Sequence, residues 1–308
     1  MALLTFISLM LIRPDFYILS ARRGLSLYAT TVLPALFPFF FCTTLLTKIG
    51  GVEILSKLGK KPISFLFNSP PEGAYVFFLA TLSGYPTGAA MIADLYDSKK
   101  VSTKQARSIF SYSSTSGPIF MLGTVGSAIF NDFRVGIIVL VSHYLASILN
   151  GLIFRLRKKD VNAPQTFAPP LDSGDVLQDC ISKSTLAMLS VGGYIVLAGM
   201  LIDTLSLIGL DATIMSHFPA ETAQSILSFL YGMIEMTRGS LACAKIENLQ
   251  LATAICAFCV TFGGLSVLFQ SATFMSRCKV KFYEILLMKT TQATIAFILA
   301  FLIGFAFT

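Results

Sequence analysis

Long uncharged stretches alternate with short charged segments along the whole chain. Seven stretches contain between 19 and 29 uncharged, mainly apolar residues: 24–47, 73–93, 108–131, 135–154, 184–202, 248–276 and 290–308. A helix needs about 20 apolar residues to cross the hydrocarbon core of a bilayer. The pattern therefore predicts an all-α integral membrane protein, a polytopic helical bundle whose main solvent is lipid.

Composition and charge agree with this fold class. Only 13% of the 308 residues are charged, against about 25% in soluble domains. The net charge of +7 comes from basic residues in short loops. When the loop after residue 154 is taken as cytoplasmic, sixteen basic residues fall inside and four fall outside (Arg22, Arg23, Arg134 and Lys245). This asymmetry indicates membrane topology, so we expect no nucleic-acid partner.

One proline-containing linker divides the chain near its middle. Residues 155–179 begin with four basic residues and include the sequence Ala163-Pro164 and the pair Pro169-Pro170, which cannot continue a helix. We therefore predict a first membrane repeat over 1–154, a cytoplasmic linker over 155–179 and a second repeat over 180–308. Met1 to about Leu19 is interpreted as a short extra first membrane helix.

Two segments do not fit simple spans and are interpreted as re-entrant helical hairpins. The segment near 73–96 is interrupted by the residues 83–88 (Ser-Gly-Tyr-Pro-Thr-Gly), and the segment near 222–246 is interrupted by 235–239 (Glu-Met-Thr-Arg-Gly). Backbone groups released at mid-depth cannot be satisfied by lipid, so they must face protein or a wet cavity.

Each hairpin is followed by a long run that has a central break of its own. The breaks are at 116–118 (Ser-Gly-Pro) and at 262–264 (Phe-Gly-Gly). The order of elements is the same in both halves, whereas the assigned orientation is opposite. This arrangement predicts an inverted repeat, which is the architecture of secondary transporters.

The breaks supply the candidate binding residues, because half-helices that meet there direct backbone N–H groups and a partial positive charge toward a ligand. On a continuous helix Ser111, Ser114 and Thr115 would share one face; the alternative is that these hydroxyls bond to their own helix. The candidate solute-binding residues are Ser83, Gly84, Tyr85, Ser114, Thr115, Ser116, Gly117, Glu235, Thr237, Arg238, Ser266 and Gln270.

Glu235 and Arg238 stand three residues apart, and each is costly at membrane depth. One interpretation is a mutual ion pair that stabilises the hairpin. The other is that Arg238 binds a substrate carboxylate through its two-pronged donor geometry, or that Glu235 binds a hydroxyl, an amine or a proton. Ser266 and Gln270 share a helical face, as cavity lining or as contacts between helices.

The remaining polar residues suggest no catalysis and no cofactor. His143 and Lys289 are interpreted as interfacial or packing residues, and the pair Cys256 and Cys259 as small apolar packing residues. The two histidines lie far apart, so we expect neither a metal site nor a hydrolase triad. We therefore expect a protein that is not an enzyme.

Four motifs together resemble the YlbJ/SpoVV sporulation integral membrane proteins, which belong to the nucleoside-recognition Gate group. They occupy residues 83–89, 116–120, 232–239 and 262–270, and the resemblance extends in the same order over nearly the whole chain. It implies a fold related to the concentrative nucleoside transporters. It also implies export of dipicolinic acid from the mother cell across the outer forespore membrane.

The sequence departs from the pattern of the family at two places. Family members often have lysine where Ala90 stands, and asparagine where Ser114 and Thr115 stand. If those groups select the solute, this protein carries a different one.

The leading expectation is thus a transporter of a small anionic solute, with dipicolinic acid first. One alternative is a cation-coupled nucleoside-type transporter, and the other is a membrane scaffold of a sporulation complex that transports nothing. The expected partners are a dicarboxylate or nucleoside-like solute and the lipid bilayer. A coupling ion and a homo-oligomer are left open.

Overall fold

The computed structural model describes residues 2–156 and 176–305, and every regular element in these ranges is helical. The helices are α1 Ala2–Ile12, α2 Pro14–Leu27, α3 Leu33–Lys48, α4 Gly51–Phe67, α5 Glu72–Ser83, α6 Thr87–Asp97, α7 Thr103–Ser113, α8 Phe133–Ile153, α9 Val176–Leu207, α10 Leu210–His217, α11 Ala220–Ile234, α12 Met236–Cys243, α13 Leu249–Phe262, α14 Gly264–Arg277 and α15 Phe282–Phe305. Two π-helical segments, Tyr28–Val32 and Phe120–Ile129, complete the fold. The predicted all-α class is confirmed.

Four stretches within the described ranges are long and apolar enough to cross a membrane. They are Phe133–Ile153, Val176–Leu207, Leu249–Arg277 and Phe282–Phe305, and the bent N-terminal pair would add a fifth. Leu249–Arg277, which comprises α13 and α14, is the most deeply buried of the four. It packs against α15, which in turn packs against α8. These helices form the centre of the bundle.

Each of the two segments predicted to form a hairpin contains two helices separated by a short break. In the first pair, α5 ends at Ser83 and α6 begins at Thr87; Gly84 adopts a positive φ of 81° between them. Glycine tolerates this backbone because it has no Cβ. In the second pair, α11 and α12 are separated by Glu235 alone, whose backbone is extended (φ −148°, ψ 122°). A Cβ on Gly239 would lie 2.3 Å from the Cα of Gly232, so these two helices approach very closely.

The same contact recurs in both halves, where the tip of each hairpin packs against the break of the span that follows. In the first half, a Cβ on Gly84 would lie 2.7 Å from the backbone nitrogen of Gly117. In the second half, a Cβ on Gly264 would lie 2.7 Å from the carbonyl oxygen of Ile234 and 2.9 Å from the Cα of Glu235. Each half then ends in a long helix, α8 or α15. The order of elements is therefore the same in both halves, whereas their opposite orientation in the membrane stays a prediction.

The N-terminal prediction is wrong in its details. Met1 to Leu19 was expected to form one short helix, but the chain breaks at Arg13, and the helical stretches Leu3–Ile12 and Pro14–Val32 meet at 107°. Pro14 causes the break because its ring starts a new helix and cannot continue the previous one. Arg22 and Arg23, which were assigned to an outside loop, lie within α2.

The boundary of the second repeat also shifts. Helix α9 begins at Val176, so residues 176–179, which were assigned to the linker, are helical. Asp179 in this first turn pairs with Lys48 at the end of α3 and with Lys183 one turn further on. Residues 157–175 of the predicted linker lie outside the described residues.

The tip contact at Gly264 predicts a destabilised variant. Gly264 has a positive φ of 74°, and its Cβ position is filled by the backbone of residues 234 and 235. We expect Gly264→Ala to lower the stability in detergent by about 1–3 kcal/mol, measured as the midpoint of thermal unfolding. Gly193→Ala is the matched control, because no atom lies within 4 Å of its Cβ position. Equal midpoints for the two variants would contradict the close contact.

Candidate functional site

A cavity lies where the two hairpin tips and the two helix breaks meet. Its empty volume is about 710 Å³, a figure that includes the space at its open mouth. The π-helical segment Tyr28–Val32, α3 and α9 supply a largely apolar wall through Val32, Leu36, Phe39, Val191 and Ile195. The tips and the breaks supply the polar wall.

The cavity brings together nine of the twelve candidate residues predicted from the sequence. They are Ser83, Gly84, Tyr85, Ser116, Gly117, Glu235, Thr237, Ser266 and Gln270. Ser114, Thr115 and Arg238 are not part of its lining. The twelve positions come from four separate motifs, so the fold gathers at one place what the chain spreads over nearly 190 residues.

The first helix break begins earlier than the hydroxyl pattern suggested. Helix α7 ends at Ser113, and residues 114–117 are not helical, so Ser111, Ser114 and Thr115 do not share a helical face. The hydroxyl of Ser111 donates to the carbonyl of Ser108, and that of Ser113 donates to the carbonyl of Ile109. The hydroxyls of Ser111 and Ser113 therefore bond to their own helix, as in the alternative interpretation of this hydroxyl-rich stretch.

Two side chains, His143 and Lys289, form hydrogen bonds with the backbone at this break, although the sequence favours interfacial or packing roles for both. The backbone N–H of Ser116 donates to Nε2 of His143 (2.9 Å), and the carbonyl of Ser114 accepts from Nζ of Lys289 (3.2 Å). Both side chains are fully buried. The prediction missed them because each is an isolated polar residue in an apolar run, on a helix far from the break in sequence.

The first tip is fastened to the second half of the chain. The hydroxyl of Tyr85 donates to the carbonyl of Thr261 (2.9 Å), in the last turn of α13. Nδ1 of His143 lies 2.8 Å from the hydroxyl oxygen of Thr261. Since Nε2 of His143 accepts a hydrogen bond from Ser116, Nδ1 carries the proton and donates to Thr261. Thr261, in the last turn of α13 before the second break, therefore contacts both Tyr85 at the first tip and His143, which binds the first break.

Glu235 caps the second half of its hairpin. Its carboxylate accepts hydrogen bonds from the backbone N–H groups of Thr237 (3.0 Å) and Arg238 (2.8 Å), which are the free donors at the start of α12. A carboxylate at this position also opposes the positive end of the helix dipole. Among the described residues that line the cavity, Glu235 is the only charged one.

The ion pair between Glu235 and Arg238, one of the two interpretations of these residues, is not formed. The guanidinium of Arg238 instead pairs with the carboxylate of Asp203 on α9. The side chain of Asp203 is 9% exposed and that of Arg238 is 29% exposed. A smaller pocket lined by Arg23, Asp203, Glu235 and Arg238 lies beside this pair, and Glu235 lines both pockets.

Ser266 and Gln270 both face the cavity from α14, one turn apart, as predicted from their spacing. Both are buried. The hydroxyl of Ser83 is also buried at this cavity and has no hydrogen-bond partner among the described residues. Buried polar groups are normally satisfied, so the hydroxyl of Ser83 is a candidate partner for a polar group in the cavity.

The helical bundle, its apolar spans and its broken helices define a polytopic α-helical integral membrane protein. The chain is 27% identical to the sporulation integral membrane protein YlbJ of Bacillus subtilis, over 92% of this chain and 76% of YlbJ. This similarity supports the relationship to YlbJ that the four motifs indicated. No family model and no solved structure matches the chain.

The pair of Asp203 and Arg238 predicts a non-additive effect on stability. Removal of one partner leaves the other charge without compensation in a largely apolar environment, whereas removal of both does not. We expect Asp203→Leu and Arg238→Leu each to cost about 1–3 kcal/mol, less than for a fully buried pair because Arg238 is partly exposed. The double variant should unfold at a higher temperature than either single variant in detergent. A double variant less stable than both would show that the two charges do not stabilise each other.

Proposed function

We propose that the protein carries a small polar solute across a membrane during spore formation. The observation that supports this most is the meeting of two hairpin tips and two helix breaks at one cavity. Irregular backbone at membrane depth is tolerated where it is buried in protein or lines a wet cavity. Paired broken helices around a central site are the arrangement that secondary transporters use. The relative YlbJ is a sporulation membrane protein, which supports the biological setting.

A planar dicarboxylate, dipicolinic acid, is the first candidate for the solute. The helical segment that starts after the first break begins beside the cavity at Gly117, and the positive end of such a segment attracts carboxylates. Arg238 directly follows the cavity residue Thr237, and it is engaged with Asp203. A solute carboxylate would take the place of the Asp203 carboxylate on the two-pronged guanidinium. Export across the outer forespore membrane is the direction that the resemblance to the YlbJ/SpoVV proteins implies.

A nucleoside-like solute is the second candidate, and the charge of the cavity lining favours it. Glu235 is the only charged residue among the described residues of the lining, and Ser83, Ser266 and Gln270 add neutral donors and acceptors. A carboxylate with hydroxyl and amide groups suits a solute that offers hydroxyl or amine donors. This solute would leave the pair of Asp203 and Arg238 intact.

Spores carrying single substitutions separate a carrier from a scaffold. We expect Arg238→Leu and Glu235→Gln to reduce the dipicolinic acid content of spores about tenfold or more, the factor that corresponds to loss of a charge-assisted hydrogen bond. Arg134→Leu is the matched control, because Arg134 is exposed and pairs only with Asp132 two residues away. Protein levels are compared by immunoblot. Normal content in both test variants would exclude a carrier of dipicolinic acid and leave a scaffold or a carrier of another solute.

Uptake by the purified protein in liposomes identifies the solute. The panel contains dipicolinic acid, other aromatic and aliphatic dicarboxylates, and nucleosides. We expect dipicolinic acid to compete with the dicarboxylates and Arg238→Leu to abolish its uptake. Uptake of nucleosides alone, unaffected by Arg238→Leu, would assign the second solute.

Water in the cavity can be tested with single cysteines at the two tips. In a background without reactive native cysteines, we expect Tyr85→Cys and Met236→Cys to react with a charged, membrane-impermeant thiol reagent, because both positions line the open cavity. Leu189→Cys is the control, since Leu189 is 61% exposed on the apolar surface of α9, where lipid excludes the reagent. If the tip cysteines labelled no faster than the control, the cavity would not be a water-filled pathway.

A further inference from the structure

Lys289 is a buried cation without an acidic partner among the described residues. It lies two turns from the start of α15, is 1% exposed, and forms no salt bridge with a described residue. A lone ammonium group in a membrane protein is costly unless other groups replace its hydration. Its surroundings therefore have to be specialised for a cation.

Neutral oxygen atoms surround the ammonium group. Nζ donates to the hydroxyl of Tyr85 (2.8 Å), to the carbonyl of Ser114 (3.2 Å) and to Oε1 of Gln292 (3.4 Å). An ammonium group has three N–H donors, so the three oxygens match its capacity. Nζ also lies over the ring of Tyr85, 4.4 Å from the centroid, where the negative ring face attracts a cation.

The position of this ammonium is the kind of place at which transporters bind a coupling cation. Ser114 is the first non-helical residue after α7, so its carbonyl is released at the C-terminal, negative end of a half-helix. Unwound carbonyls and half-helix C-termini are the groups that coordinate Na⁺ in transporters with broken helices. Hard cations such as Na⁺ prefer oxygen ligands of this type.

We infer that Lys289 supplies a tethered cation at the first helix break, in place of a free Na⁺ or K⁺ ion. The ammonium group holds Tyr85 and the unwound segment together without an ion from solution. Tyr85 lines the cavity on one side and accepts from Lys289 on the other. Lys289 is thus a positioning residue for the tip of the first hairpin. The consequence for transport rests on the proposed function. Because Lys289 takes the place of a free ion, transport of the solute is then independent of Na⁺ and K⁺.

The test measures thermal unfolding of the purified, full-length protein in detergent, in sodium chloride and in choline chloride at equal ionic strength. The wild-type midpoint should be the same in both salts. Lys289→Ala removes the ammonium but leaves its oxygen ligands and space for an ion, so Na⁺ should raise its midpoint by about 2 °C or more over choline, as expected of a ligand that binds only the native state. Lys289→Met, which fills the space with an apolar chain, should show no such difference.

The result for the alanine variant decides the inference. This variant is extracted and purified in sodium chloride and then exchanged into choline chloride. An identical midpoint in the two salts, or failure to obtain folded Lys289→Ala in sodium chloride when Lys289→Met folds, would overturn the inference. So would a sodium-dependent rise in the wild-type protein, because its site would then accept a free ion.

These midpoints require neither solute nor flux, so a protein that transports nothing would still give them. A liposome assay then adds the functional readout. Solute uptake by the wild-type protein should be unchanged when choline replaces Na⁺, and uptake by Lys289→Ala should require Na⁺. If the midpoints are as expected but no solute is taken up, the proposed function is rejected, whereas the inference that Lys289 acts as a tethered cation is retained.

Discussion

The fold depends on satisfying backbone groups where helices are interrupted inside the membrane. Lipid offers neither donors nor acceptors, so each released group needs a protein partner or water. The chain meets this requirement with side chains from distant elements. His143 accepts from the N–H of Ser116, Lys289 donates to the carbonyl of Ser114, and Glu235 accepts from the N–H groups of Thr237 and Arg238, the second and third residues of α12. Ser116, Gly117 and Glu235, which lie at these interruptions, also line the cavity, so the candidate site is formed where the helices break.

Four charged groups near the cavity are stabilised by different contacts. Asp203 and Arg238 form a pair, whereas Glu235 and Lys289 stand at the second and first tips without a salt bridge among the described residues. Backbone N–H groups and a helix dipole stabilise Glu235, and neutral oxygens with an aromatic ring stabilise Lys289. Arg23 also lines the smaller pocket. The interruptions of the helices therefore provide neutral groups that take the place of an oppositely charged side chain.

Local sequence features were sufficient to predict the elements and most of the cavity. Glycine and proline clusters mark breaks through backbone geometry alone, and the residues Ser83, Gly84 and Tyr85 of one such cluster line the cavity. An isolated polar residue in an apolar run gives no such sign that it contacts a helix break. Lys289 and His143 act through contacts made 175 and 27 residues away, respectively, which a periodicity cannot reveal.

The partner of Arg238 could not be predicted from local spacing, for a related reason. Helical spacing favoured Glu235 because it stands three residues away, but α12 begins just after Glu235. A side chain at that position turns inward to cap the free N–H groups of its own helix, and it is then no longer available to the guanidinium. Arg238 consequently reaches Asp203 on α9. Helical spacing suggested which residues could pair, whereas the position at which α12 begins determined the partners that they have.

The polar contacts are distributed unevenly between the two hairpins, and this bears on how a cavity between them could open. The first tip is bound through Tyr85 to Thr261 and to Lys289, so it is fastened to two helices of the opposite half. The second tip has its strongest polar contacts within its own helix, through Glu235, and only one ion pair to α9. Movement of the first tip would leave several buried groups without partners, which is costly. A movement confined to the second tip would break the pair of Asp203 and Arg238, beside the small pocket that Glu235 also lines. A movement of the whole pair of α11 and α12 would also break the contacts of Tyr231 with Ser206 and Asp211 and of Ser240 with Cys256. Opening on this side therefore costs least when only the residues around Glu235 move.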